Sequence, residues 1–297
     1  MSGFIKRILL LLLFAVVVMT VLDIGYTYVY AHAKPRSKVQ LVMNAPPQHY
    51  DAIVLGSSRA ANHVVTELFA KRGVKAYNMG MSGSTLCENG LMLKLFFERG
   101  NTADKVLLQL DVNFRGVGSA PGIKALFMPY LMSNETVYRH YLKYDKASTV
   151  AYRYVPFYRY CSFDSKIGVR ELTMSLFGKR GKDIENGGFI PLKGVLESKD
   201  KFVMDKEVRK KNSDYDDIVA TCRLNHVPLV SFTAPFCAYI VNADYFLKLK
   251  KVVPDLYDYS GVVKADSLFA TCGHMNEKGA RVFTEYLLKE QFPGKRQ

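Results

Sequence analysis

Three short strand-like runs, at residues 52–55, 75–78 and 105–110, alternate with helical periodicity at 59–72 and 86–99. Runs this short, closed by glycine or polar residues, read as buried strands. This order leaves few folds open. Parallel strands need crossover connections, and the crossovers cover both faces of the sheet. The rhythm returns late in the chain. Residues 206–225 read as helix, 227–233 as a buried strand, 244–252 as a short helix and 261–264 as a candidate last strand. Asn276 is a ready N-cap for a final helix running to about residue 291. In a parallel sheet the carboxyl ends of the strands share one edge, where open α/β sheets bind their ligands. Ser58, Gly83 and Asn113 each follow one of the first three strands, so this order brings them to that edge.

A second constraint lies at the N-terminus. Residues 8–22 are apolar throughout except Thr20, and Lys6 and Arg7 precede them. Asp23 interrupts, and apolar character resumes to Ala31. The length suits one membrane-spanning helix. Tyr26, Tyr28 and Tyr30 are expected as an interfacial aromatic belt. Asp23 is expected to snorkel to the interface rather than to meet a polar partner. Ala31-His32-Ala33 resembles a signal-peptide cleavage site, but the preceding stretch is long for a signal, which favours a retained anchor. Basic residues flank both ends, so charge leaves the orientation open.

These features divide the chain into an anchor at 1–33, a proline-punctuated polar linker at 34–49 and a globular domain at 50–297. Residues 114–205 break the rhythm and are dense in tyrosine and arginine, which marks an insertion. Aromatic faces and guanidinium groups suit sugar rings and anionic substituents. A half-buried cover on the sheet edge, with tyrosine hydroxyls reaching water, explains the same composition.

The net charge of +14 calls for an acidic partner. The basic residues are scattered and no nucleic-acid motif occurs, so an anionic membrane face or envelope polymer is expected in place of nucleic acid. None of the five cysteines forms a Cys-x-x-Cys pair, so no zinc site is expected. The odd count leaves at least one cysteine free or paired between chains. No loop ends in the Gly-Lys-Ser/Thr of a phosphate-binding motif, and no metal or other cofactor is expected.

Ser58 is the candidate nucleophile, although Ser57 and Ser58 can also be read as caps of the following helix. His274, directly before the last helix, falls on the same sheet edge. It is the candidate general base, since a hydroxyl attacks weakly until a base takes its proton.

Four blocks carry a family resemblance: Gly56-Ser57-Ser58-Arg59, residues 78–85, residues 110–113, and His274-Met275-Asn276 followed by Gly279-Ala280. Together they resemble the SGNH (GDSL-type) hydrolases, in particular the membrane-anchored envelope branch that includes teichoic-acid D-alanylation and alginate O-acetylation proteins. The resemblance covers about 50–113 and 206–291. It implies a flavodoxin-like three-layer α/β sandwich with a mainly parallel sheet behind one N-terminal transmembrane helix. It implies ester chemistry on an acylated, anionic envelope glycan at the extracytoplasmic face of a bacterial membrane. It also implies Ser58 as nucleophile, His274 as base, and an oxyanion hole from the Ser58 and Gly83 N–H groups and the Asn113 side chain. Two positions depart from the pattern. Ser57 replaces an aspartate, and Thr271 stands where an aspartate three residues before the histidine is usual. Asp111 or Asp266 is then expected to orient His274, or the site runs as a Ser–His dyad. The missing acid also keeps open a non-catalytic member of the fold, which binds glycan or docks on a membrane-embedded acyltransferase.

Overall fold

The computed structural model describes residues 2–197 and 201–294. Helix α1 (Ser2–His32) is long and apolar enough to cross a membrane. The chain forms two compact units: Met1–Ala45 with Pro121–Arg180, and Pro46–Ala120 with Gly181–Gln297.

The second unit is the expected α/β body. Its chain order runs β1 (Ala52–Leu55), α2 (Ser58–His63), α3 (Thr66–Lys71), β2 (Ala76–Asn78), α4 (Leu86–Glu98) and β3 (Val106–Gln109). After the residues of the first unit come α5 (Ser213–Leu224), β4 (Leu229–Phe232), α6 (Tyr245–Val252) and α7 (Glu277–Gln291). The four strands are parallel in the order β2-β1-β3-β4. Strand order reverses between β1 and β3, and the crevice outside their carboxyl ends is the switch point of this flavodoxin-like arrangement. Ala52, Val54, Leu107 and Phe232 turn to one face and join Phe69, Phe283 and Leu287 in a buried cluster. Strand alternation sends Ile53, Val106 and Leu108, also fully buried, to the opposite face, where α4 packs on α5.

Tertiary contacts redraw three expected elements. The single helix expected at 59–72 is two, broken at Val64 and Val65. The Asn78 amide takes the carbonyls of Ala60 and Val64, and the Thr284 hydroxyl accepts from the Val65 N–H. These bonds replace the local helix ladder across two β-branched residues. The helix expected from 206 begins at Ser213, because Asn212 caps it by accepting from the Asp214 and Tyr215 N–H groups. Residues 261–264 are not a strand. A single parallel bridge between Phe232 and Tyr257 flanks β4 instead. The cap expected at Asn276 is present and accepts from the Gly279 N–H.

The first unit corrects the reading of the N-terminal region. The expected linker at 34–49 contains a helix, Lys38–Asn44, capped by Ser37 and burying Val39, Val42 and Met43. Much of the expected insertion folds here as short helices, among them Lys146–Tyr154, Tyr158–Ser162 and Val169–Leu176. Asp23 does not snorkel to an interface. It is buried and paired with Arg159, whose Nη2 donates to Oδ1 at 2.6 Å. Tyr26 and Tyr30 are buried too, which leaves Tyr28 as the exposed member of the expected belt.

Candidate active site

Two serines follow β1, and the structure separates their roles. Gly56 has φ +146°, and a Cβ there would lie 2.8 Å from both Ala60 Cβ and Gln109 Oε1, so only glycine fits the turn. The Gly56 N–H donates to Asn89 Oδ1 at 2.8 Å. Gln109 Oε1, at the end of β3, accepts from the Ser57 N–H at 3.0 Å and from its hydroxyl at 2.9 Å. The Ser57 hydroxyl also caps α2 by accepting from the Arg59 N–H. Ser57 is therefore the cap, and the half-buried Ser58 hydroxyl is left for chemistry.

That hydroxyl lies 2.8 Å from His274 Nε2, across 216 residues of chain. His274 is held in regular structure. It begins one arm of a short antiparallel hairpin, pairing with Thr271, while Met275 pairs with Phe269. Arg59, the residue after Ser58, fastens this hairpin. Its buried guanidinium donates to the carbonyls of Gly273, Ala234 (2.6 Å) and Pro235 (3.0 Å) and to Asp111 Oδ2 (2.8 Å). It also lies 3.4 Å from the centre of the Phe236 ring. A disulfide between Cys237 and Cys272 ties the same loop to the residue two before the imidazole. Among the described residues Cys87, Cys161 and Cys222 lie outside any disulfide. On the other side His63 accepts from the Met275 N–H at 3.0 Å, and its ring stands edge-on to His274 at 5.9 Å.

These surroundings keep the imidazole uncharged. Burial, and then the Arg59 charge, push the His274 pKa down to about 4, with Asp111 opposing. Burial holds His63 well below its ordinary range, and Arg59 and His274 add to the effect. A neutral His274 with Nε2 facing a hydroxyl is a base ready to accept its proton.

The expected orienting acids are elsewhere. Asp111 is fully buried, but its carboxylate is held by Arg59 and by the Val112 N–H. Asp266 accepts from the Tyr239 hydroxyl. Among the described residues the hydrogen-bond partner of His274 Nδ1 is the Thr271 hydroxyl, at 3.3 Å. Of the expected oxyanion donors, the Ser58 N–H belongs to the first turn of α2, where no helix carbonyl reaches it. Gly83 is exposed with φ +85°, on a turn that Met81 and Ser84 fasten to the Gly56 carbonyl. The Asn113 amide gives one N–H to the Gln109 carbonyl and keeps a second to give.

Sequence reasoning missed Arg59, Asn89, Gln109 and His63. Arg59 had the only local signal, its position beside Ser58. The partners that give the other three a role come from distant elements. His49, Asp51 and Asp104 form a carboxylate–imidazole group near the amino ends of β1 and β3, at the opposite edge of the sheet from Ser58. Its atoms already bond to Thr102, to one another and to the Lys75 N–H. No protein-family model matches the chain, and no curated protein matches it.

Proposed function

We propose that this chain is a membrane-anchored serine esterase or O-acyltransferase of SGNH type, acting at the extracytoplasmic face on O-acyl groups of an anionic envelope polysaccharide, O-acetyl above all. The observation that carries this reading is the 2.8 Å contact of the Ser58 hydroxyl with His274 Nε2 at the switch point of a parallel sheet. A glycine turn beside the serine and unspent N–H groups nearby support it. The disulfide supports an oxidising compartment, and the +14 charge supports an acidic polymer.

The chemistry follows from the contact. His274 Nε2 takes the Ser58 proton as Oγ bonds to the acyl carbon. Charge then develops on the acyl oxygen, where the Ser58, Gly83 and Asn113 N–H groups are the candidate donors. Removing one such donor typically costs about 10²–10³ in rate. As the ester C–O bond breaks, the imidazolium returns the proton to the departing sugar oxygen, which leaves acyl-Ser58. Water or a second sugar hydroxyl then takes the acyl group by the same proton route. Hydrolysis and transfer differ only in that acceptor.

A second reading rests on Thr271. With a hydroxyl rather than a carboxylate on Nδ1, the same site can bind an acylated glycan, or serve a membrane-embedded acyltransferase, without turnover. A fluorophosphonate probe separates the two. The esterase reading expects labelling of the wild-type chain and its loss in Ser58→Ala, with labelling of His274→Ala slowed by about 10²–10⁴. A wild-type chain that binds acetylated glycan but neither labels nor hydrolyses p-nitrophenyl acetate favours the accessory reading.

A further inference from the structure

One surface of the first unit lies outside this chemistry. Along α1, apolar side chains stand exposed from Phe4 to Leu22. At 1.5 Å per residue the segment from Gly3 to Leu22 is roughly 30 Å long, the thickness of a bilayer's hydrocarbon core. The helix then changes character without breaking, and Asp23, Tyr26 and Tyr30 are buried in the protein. The folded body thus begins one residue beyond the spanning length.

What meets the helix at that level is the turn that joins the helices Lys146–Tyr154 and Tyr158–Ser162. The Phe157 N–H donates to Asp23 Oδ2 at 2.7 Å, from a left-handed backbone with φ 62°. Arg159 donates to Asp23 and to the Thr27 hydroxyl (2.9 Å), and Tyr160 bonds Thr27 at 2.8 Å. The Phe157 ring packs edge-on against Tyr26 at 4.9 Å. Held there, the turn leaves Tyr154 66% exposed, Val155 46% and Tyr158 44%.

We infer that this turn is a membrane-interface element: Tyr154, Val155 and Tyr158 seat in the boundary between headgroups and acyl chains of the bilayer that α1 crosses. Continuity with the exposed apolar surface of α1 identifies the occupant. Tyrosines with an apolar body and a polar tip suit that depth. The buried Asp23–Arg159 pair fixes how far α1 enters. It also makes α1 part of the fold, since cleavage after Ala33 would remove Asp23 and Thr27, which hold the Arg159 guanidinium.

The chain contains no tryptophan, so one introduced indole reports alone. The experiment uses full-length Val155→Trp in phosphatidylcholine–phosphatidylglycerol vesicles whose lipids are brominated high on their acyl chains. Its emission is expected to shift to the blue and to be largely quenched. Phe177→Trp is the control. Phe177 is 77% exposed in the same unit, two residues before Lys179, whose carbonyl accepts from Arg36. That end of the unit is roughly 15 Å further along α1, so its emission should match that in unbrominated vesicles. Tyr154→Trp repeats the test should Val155→Trp not fold. The inference is overturned if the indole at 155 or 154 stays as bright as in plain lipid, or if the indole at 177 is quenched equally. It is also overturned if the full chain leaves the vesicles on alkaline extraction.

Discussion

Thr271 Oγ1 lies 3.3 Å from Nδ1 of His274, where the acid of a Ser–His–Asp triad would stand. For Nε2 to accept the Ser58 proton, Nδ1 must carry the ring hydrogen. A carboxylate only accepts and so selects that tautomer, whereas a hydroxyl donates or accepts and selects neither. Thr271→Asp is therefore expected to raise kcat for p-nitrophenyl acetate by at least about tenfold, within the roughly 10⁴-fold that the orienting acid is worth in a triad. Thr271 is exposed, so the fold should accept the change. A rate that stays level or falls would mean that Nδ1 needs no acid here.

The depressed pKa of His274 sets the acid limit of the proposed activity. A base that titrates at about 4 leaves fluorophosphonate labelling level from pH 7 to pH 5. A labelling midpoint near 6.5 would contradict the buried, Arg59-facing imidazole.

The same shift links stability to pH. An unfolded histidine binds its proton near 6.5, while folded His274 does so at about 4 and folded His63 well below its ordinary range. Below 6.5 the unfolded chain holds more protons, so stability is complete above that pH and falls as acid is added. Each histidine contributes at most about 1.4 kcal/mol per pH unit over that window. Urea midpoints followed by circular dichroism at pH 7, 6 and 5 should decline steadily, and His63→Gln should flatten the decline.

Arg59 joins stability to the proposed activity. Arg59→Met leaves the Asp111 carboxylate buried without its partner, a loss of about 3–5 kcal/mol for a buried pair. It also releases the Gly273 carbonyl next to His274. The double variant Arg59→Met/Asp111→Leu should regain much of the stability and none of the activity. Recovery of both would mean that the guanidinium does not position His274.

The Cys237–Cys272 disulfide closes a loop with a sequence separation of 35. Reduction, or Cys237→Ala/Cys272→Ala, should cost about 2–4 kcal/mol in urea unfolding. It should also slow labelling at pH 7, since the bridge holds the hairpin that carries His274. An unchanged labelling rate would assign the hairpin's position to Arg59 alone.

The strand–helix rhythm at 52–110 was legible because residues buried on both faces of a parallel sheet must be apolar in short runs, which is a local signal. So was the Asn276 cap, whose partner is three residues away. The break at Val64 was not, because Asn78 and Thr284, which cause it, are remote in sequence. Ser58 and His274 could be named from their contexts. The choice of Ser58 over Ser57 depended on Gln109, which no pattern connects to either serine.

By itself the sequence determined the class of fold, the apolar length at the N-terminus and the strand-end and helix-start contexts of Ser58 and His274, because periodicity, hydropathy and residue type are written locally. Tertiary structure alone decided that Thr271 faces Nδ1 of His274, that Arg59 and not His274 holds Asp111, and that Asp23 is buried against Arg159. The reason is the cost of an unpaired buried charge. Each charge must find a partner in three dimensions, and which one is within reach depends on how the elements pack.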